Sequence, residues 1–193
     1  MDLGLRNRVA LVTASSQGLG YAVAAELANE GAKVVICARG ESLLLKAGDT
    51  IARASGSEVF AIAGDLTITD DLDRIVAAAC EKFGRVDILV TNSGGPKPGR
   101  FDTLDPADWA AASSALLTSV VDLTRMVLPG MKERKWGRIL NITSIAAKQP
   151  VSDLMLSNSL RAALTGFAKT LAAEVAEFGV TVNTVLPGYT ATE

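Results

Sequence analysis

Five features of this chain carry residue types that could act together on one ligand. The first is TASSQGLG at 13–20, a run of small residues that follows an apolar, β-branched stretch and leads into Leu19, Val23 and Leu27 at four-residue spacing. That pattern predicts a strand, a tight turn and a helix, with Gly31 as the stop. Small side chains let backbone N–H groups approach a ligand closely, and the helix behind them offers unpaired N–H groups and its positive dipole end. A pyrophosphate is the natural guest of such a turn, although an ordinary βα turn has the same composition. The other four features are Arg39 behind the apolar run at 33–38, Asp65 in GDL, the loop NSGG at 92–95, and Ser144 behind GRILNIT.

The elements that must bring these together can be read from composition and periodicity. The 193 residues are 49% apolar, enough to bury one sizeable core, and a single domain over 1–193 is expected. A net charge of −2, with acids and bases scattered, gives no basic stripe for nucleic acid and no polybasic segment for a membrane surface. The start, MDLGLRNRV, lacks a signal-peptide core, and no run approaches the ~18 apolar residues that span a bilayer, so a cytoplasmic protein is expected. Cys37 and Cys80 lack metal or disulfide spacing and are expected to be reduced core residues. There is no histidine. Its absence removes the Ser-His-Asp and Cys-His schemes and the commonest metal ligand, so no metal site is expected.

Strands are expected over 9–13, 33–38, 58–63, 86–90, 137–142 and 180–186, none of them alternating. Between them lie helices over 41–54, interrupted by Gly48, over 69–83, from the Asp105-Pro106 start to about 132, and over about 152–178. Non-alternating strands, each followed by a helix, mean a parallel sheet covered on both faces, an α/β doubly wound (Rossmann) fold. Right-handed crossovers place the strands in the order 3-2-1-4-5-6, with a crevice at the carboxyl ends of strands one and four where all five features converge. The PKPG run at 96–99 predicts a stiff loop over that crevice.

With TASSQGLG, GDL at 64–66, TNSGG at 91–95, NITS at 141–144 and VNTVLPGYTAT at 182–192 in this order, the whole chain resembles the short-chain dehydrogenase/reductase family, in particular its β-ketoacyl reductase-like members. The resemblance implies a nicotinamide dinucleotide and a small-molecule carbonyl or alcohol substrate. Thr13, Ser15, Ser16, Gly18, Leu19 and Gly20 would hold the pyrophosphate and its ribose, Asp65 and Leu66 would flank adenine, and Asn92, Ser93 and Gly94 would pass beneath the adenosine ribose. Pro187, Gly188 and Thr192 would embrace the nicotinamide amide. Ala14 stands where the family's first glycine is usual. Members that prefer NAD carry an acid at the end of strand two; here Ala38 is followed by Arg39, whose guanidinium suits a 2′-phosphate, so NADP(H) is favoured over NAD(H). Arg39 could otherwise be a solvated loop charge.

The catalytic group departs from the family's pattern. Its tyrosine falls on Ser157, its lysine on Arg161 and its asparagine on Leu116, while its serine is kept as Ser144. A serine is a poor proton exchanger without a strong base beside it, and a guanidinium does not give up its proton. Ser144, Ser157 and Arg161 are the catalytic candidates, the serines orienting a substrate oxygen and Arg161 holding the ribose. Ser144 could instead tie down a loop, Ser157 and Arg161 could form an exposed helix pair, and Leu116 reads as packing. Lys148 and Tyr189 are conceivable substitutes. A catalytically impaired protein that binds a nucleotide or a partner is the alternative. The resemblance also implies a homo-oligomer, dimer or tetramer, built on the two long helices, and a last strand and substrate lid following residue 193.

Overall fold

The computed structural model describes residues 2–191. Strands β1 (Val9–Thr13), β2 (Lys33–Ala38), β3 (Val59–Ala63), β4 (Ile88–Thr91), β5 (Gly137–Ile142) and β6 (Val180–Val185) form one parallel sheet in the order β3-β2-β1-β4-β5-β6. The expected doubly wound order is therefore the observed one. Successive strand residues point to opposite faces. Ala10, Val12, Val34, Ile36, Ile88 and Val90 enter one core with helices α1 (Gly18–Asn29) and α2 (Glu41–Ser55). Leu11, Val35, Cys37, Leu89, Ile139 and Val182 enter the other. That second core is closed by α3 (Thr69–Phe83), α5 (Ser119–Glu133) and α6 (Met155–Val175). Because both faces are filled, neither strand surface needs polar residues.

Several expectations are corrected. Helix α1 buries Gly20, Ala24 and Ala28 against the sheet, while Leu19, Val23 and Leu27 are only partly buried at its flank. A stripe of small residues lets this helix lie close on β1, which fixes where its first turn points. Helix α2 runs unbroken through Gly48, which is buried against the sheet, where a Cβ would lie 3.4 Å from Ile36 Cδ1. Cys37 is buried and its thiol pKa is pushed up to about 12 by desolvation, whereas Cys80 lies exposed on α3 rather than in the core.

The first long helix is α4 (Pro106–Ser113) joined to α5 by a π-helical turn, Ser114–Thr118. Asp105 starts it by accepting the Asp108 N–H at 2.8 Å. Contrary to expectation, this 28-residue rod, Pro106–Glu133, is long and apolar enough to cross a membrane by length and composition. Here Leu123, Val127 and Met131 bury that apolar face against the sheet.

The expected fourth strand begins later, at Ile88, because Asp87 has another task. Its carboxylate, 0% exposed, accepts the Val9 N–H at 3.0 Å and the Arg85 Nε at 2.9 Å, with Arg134 Nε at 3.4 Å from its other oxygen. One buried acid thus joins the amino ends of β1 and β4 to α5. Removing one partner of a buried charge pair is costly. Asp87→Asn is expected to lose about 2–4 kcal/mol and roughly 5–15 °C of melting temperature, which a calorimetric comparison with the parent checks.

Candidate active site and nucleotide cleft

The turn after β1 is assembled from beneath. Thr13 Oγ1 donates to the Asn92 carbonyl at 2.6 Å and accepts the Asn92 N–H at 2.8 Å. Ser15 Oγ donates to the Val12 carbonyl at 2.7 Å and accepts the Cys37 N–H at 3.1 Å, and the Ser15 N–H donates to the Cys37 carbonyl at 3.1 Å. Both residues are 0% exposed. Their hydroxyls, expected at a pyrophosphate, are directed inward, because buried polar groups must find partners where they lie. Thr13 and Ser15 position the turn, then, and leave the ligand face to their neighbours. Asn92 Nδ2 donates to the Ala14 carbonyl at 3.2 Å. Ala14 holds the turn at φ +47°, a left-handed conformation. A Cβ on Gly20 would fall 2.3 Å from that same carbonyl oxygen, so only glycine lets α1 begin so close.

Ser16, Gln17, Gly18 and Leu19 line a cleft of about 420 Å³ at the amino end of α1, facing Thr190 and Ala191. Gln17 makes no side-chain cap bond and the first turn carries no acid. The helix therefore keeps its N–H groups and positive end for an anion. Around this cleft, Gly94 is exposed, with no atom within 4 Å of where its Cβ would be, and Ser93 is half-buried. Arg39 is exposed at the end of β2. Hydrogen bonds from the Thr67 N–H and hydroxyl, both 2.8 Å, hold Asp65 below the usual carboxylate range, and the Arg39 charge adds to this. Since the folded state lowers this pKa, Asp65 contributes stability above the ordinary carboxylate range that is lost as pH falls through its own. Leu66 packs partly into the core beside it. Pro187 accepts the Ile145 N–H at 3.1 Å, which seats the 187–188 segment beside Ser144, and Gly188 is exposed. Thr192 lies outside the described residues.

Ser144 sits beyond β5, its Oγ accepting the Ala146 N–H at 3.2 Å. The loop-tying role is thus present, and the hydroxyl proton stays free to be donated. Ser157 and Arg161 are not an exposed pair: they are 8% and 9% exposed. Arg161 Nε donates to Ser157 Oγ at 3.2 Å and Nη1 donates to the Ile142 carbonyl at 3.3 Å, two residues before Ser144. Desolvation lowers the Arg161 pKa without discharging a group of such high basicity. Leu116, 2% exposed, packs in the π-turn with Ala112, Leu156 and Leu160. Lys148 is exposed, and Tyr189 is 96% exposed.

The loop at 96–99 is pinned where it was expected to be stiff: Lys97 Nζ donates to Asp108 Oδ2 at 2.7 Å. Sequence reasoning missed what this loop meets. Gly99 N–H donates to the Asp153 carbonyl at 2.7 Å and pairs with Leu154, closing a second cavity of about 700 Å³ between Arg100, Phe101 and the 151–158 segment. No periodicity or motif signals a contact between two loops so far apart in the chain.

The family model of short chain dehydrogenases matches residues 8–193. Among curated relatives, a 3-oxoacyl-[acyl-carrier-protein] reductase of Synechocystis is 36% identical over 189 residues, covering 98% of this chain and 76% of its own. An acetoacetyl-CoA reductase of Cupriavidus necator is 34% identical over 189 residues, covering 98% and 77%. Among solved structures, L-sorbose reductase from Gluconobacter frateurii, crystallised with NADPH and L-sorbose, superposes with a TM-score of 0.97 at 35% identity, over 100% of this chain and 73% of that one. Ser157→Ala would leave Arg161 Nε without its acceptor inside the protein. A loss of about 1–3 kcal/mol is expected, measurable by denaturant unfolding against the parent.

Proposed function

Because the chain belongs to the short chain dehydrogenase family, we propose that it is an NADP(H)-dependent oxidoreductase moving a hydride between the nicotinamide and a carbonyl or alcohol substrate. The observation that carries this reading is the convergence, at the carboxyl ends of β1, β4 and β5, of an uncapped helix start, the open 93–94 loop and the buried pair Ser157 and Arg161. The residues present fit a dinucleotide: the cleft at the start of α1 is lined by small residues, and its first turn holds no competing acid. Ser16, Gly18, Leu19 and Gly20 would take the pyrophosphate, and Arg39 the 2′-phosphate. Asp65 and Leu66 would flank adenine, Asn92, Ser93 and Gly94 would lie under the adenosine ribose, and Pro187 and Gly188 would meet the nicotinamide amide. The bound nicotinamide supplies or accepts the hydride.

The chain's own residues orient and stabilise. Ser144 and Ser157 direct their hydroxyl protons at the substrate oxygen, and Arg161 donates to the nicotinamide ribose while supplying a fixed positive charge. No phenol or amine stands among these groups to exchange a proton near neutral pH. The proton reaches the substrate oxygen from water by way of Ser157, and the missing acid/base assistance slows turnover by ~10² to 10⁴. Leu116, shut into an apolar patch with Leu156 and Leu160, favours a second reading in which the fold binds nucleotide without turning it over. The exposed sides of α5 and α6 would face a second copy of the chain.

Stopped-flow oxidation of NADPH over a panel of ketones and aldehydes separates the readings. Slow, saturable turnover supports the first; activity appearing only in the triple variant Ser157→Tyr, Arg161→Lys, Leu116→Asn supports the second. Arg39→Ala is expected to raise the Kd for NADPH about 10- to 100-fold, the worth of a charge-assisted hydrogen bond, and to leave that for NADH unchanged. Equal effects on both cofactors, measured by fluorescence titration, would refute the role given to Arg39.

A further inference from the structure

Among the described residues, Arg161 is a buried cation with no ion-pair partner. Its guanidinium has five N–H donors; two are spent, on Ser157 Oγ and the Ile142 carbonyl, at 3.2 and 3.3 Å. Both acceptors are neutral and both bonds are long for a charged donor. Among the described residues no carboxylate lies within 4 Å of it, whereas the fully buried Asp87 is met by two arginines. Buried charges in proteins are ordinarily paired, so this one is completed by something that arrives.

The neighbouring groups narrow what that is. Ser144 Oγ already accepts from Ala146 N–H, and Ser157 Oγ already accepts from Arg161, so each has its own proton left to give. Helix α6, which carries Ser157 and Arg161, packs against the 145–147 turn that follows Ser144. Ser144 at the start of that turn, and Ser157 and Arg161 on the helix packed against it, thus all have donors to offer. The ribose hydroxyls given to Arg161 above would use some of its N–H groups but would leave the charge uncompensated.

We propose that Arg161 is a specificity-determining residue that binds a carboxylate of the substrate, which makes the acceptor a short oxo acid with its carboxylate one or two carbons from the reacting carbonyl. This rests on the oxidoreductase reading. A carboxylate presents acceptors alone, carries the missing charge, and matches the planar fork of a guanidinium. Lysine in the same place would supply a point charge; arginine adds the bidentate geometry.

The probes are 2-oxobutyrate, acetoacetate and, as neutral partners, their methyl esters, with the wild-type protein saturated with NADP+. Thermal shift and calorimetric titration are expected to give at least one oxo acid a Kd about 10- to 100-fold below its ester, and Arg161→Met is expected to abolish that difference. Equal binding of acid and ester, binding of neither acid, or a preference that survives in Arg161→Met, overturns the proposal. Should Arg161→Met fail to fold, Arg161→Lys decides: the preference for acid over ester should shrink but keep its sign, and an unchanged preference counts against the guanidinium. If NADP+ itself gives no shift, the oxidoreductase reading fails; if NADP+ shifts the protein and the acids behave as their esters, only this inference does.

Discussion

Two buried hydroxyls hold the functional edge of this protein together. Thr13 ties the end of β1 to the start of the 92–94 loop, and Ser15 ties the same turn to β2 through Cys37. The ladder between β1 and β2 ends at Thr13 and Cys37, and that between β1 and β4 at Val12 and Val90. The side-chain bonds of Thr13 and Ser15 extend the ties past those ends. With the turn fixed, the small-residue stripe of α1 sets how close the helix lies, and the helix start comes to face the cleft. The backbone of that helix start is thus presented to the cleft on a rigid support, with Ser16 and Gln17 beside it.

At the other half of the crevice the constraint is charge. Arg161 reaches the end of β5 by a long stem buried under α6 and is held there by neutral acceptors. A cation in that place stabilises negative charge on whatever lies before it, but unlike an amine it has no accessible neutral form. The pair Ser157 and Arg161 therefore favours electrostatic stabilisation and orientation over proton exchange. In the reading proposed above, the site would keep its charge while water took the part of the family's phenol.

The two ends of the sheet are built on contrasting terms. At the amino ends, Asp87 is enclosed by donors, and that network fastens β1, β4 and α5. Only one oxygen of Asp87, Oδ2, is hydrogen-bonded; Oδ1 is met by the Arg134 charge at 3.4 Å without a hydrogen bond. At the carboxyl ends, the buried Arg161 meets only neutral acceptors among the described residues.

The order of elements, the parallel sheet and the placing of the glycine-bearing turn, Arg39, Asp65 and Ser144 at one edge follow from periodicity and connection rules, because each depends on residues near in sequence. The inward direction of Thr13 and Ser15 was not legible, since a hydroxyl's partner is decided by which strand lies beside it. Nor was the depth of Ser157 and Arg161: one helical turn apart, they read equally well as a solvated pair until α6 is packed against β6 and the 145–147 turn. Burial, the pairing of charges and the meeting of the 99 and 154 loops are properties of neighbours distant in the chain. They exist only once the sheet has closed and the helices have chosen their faces.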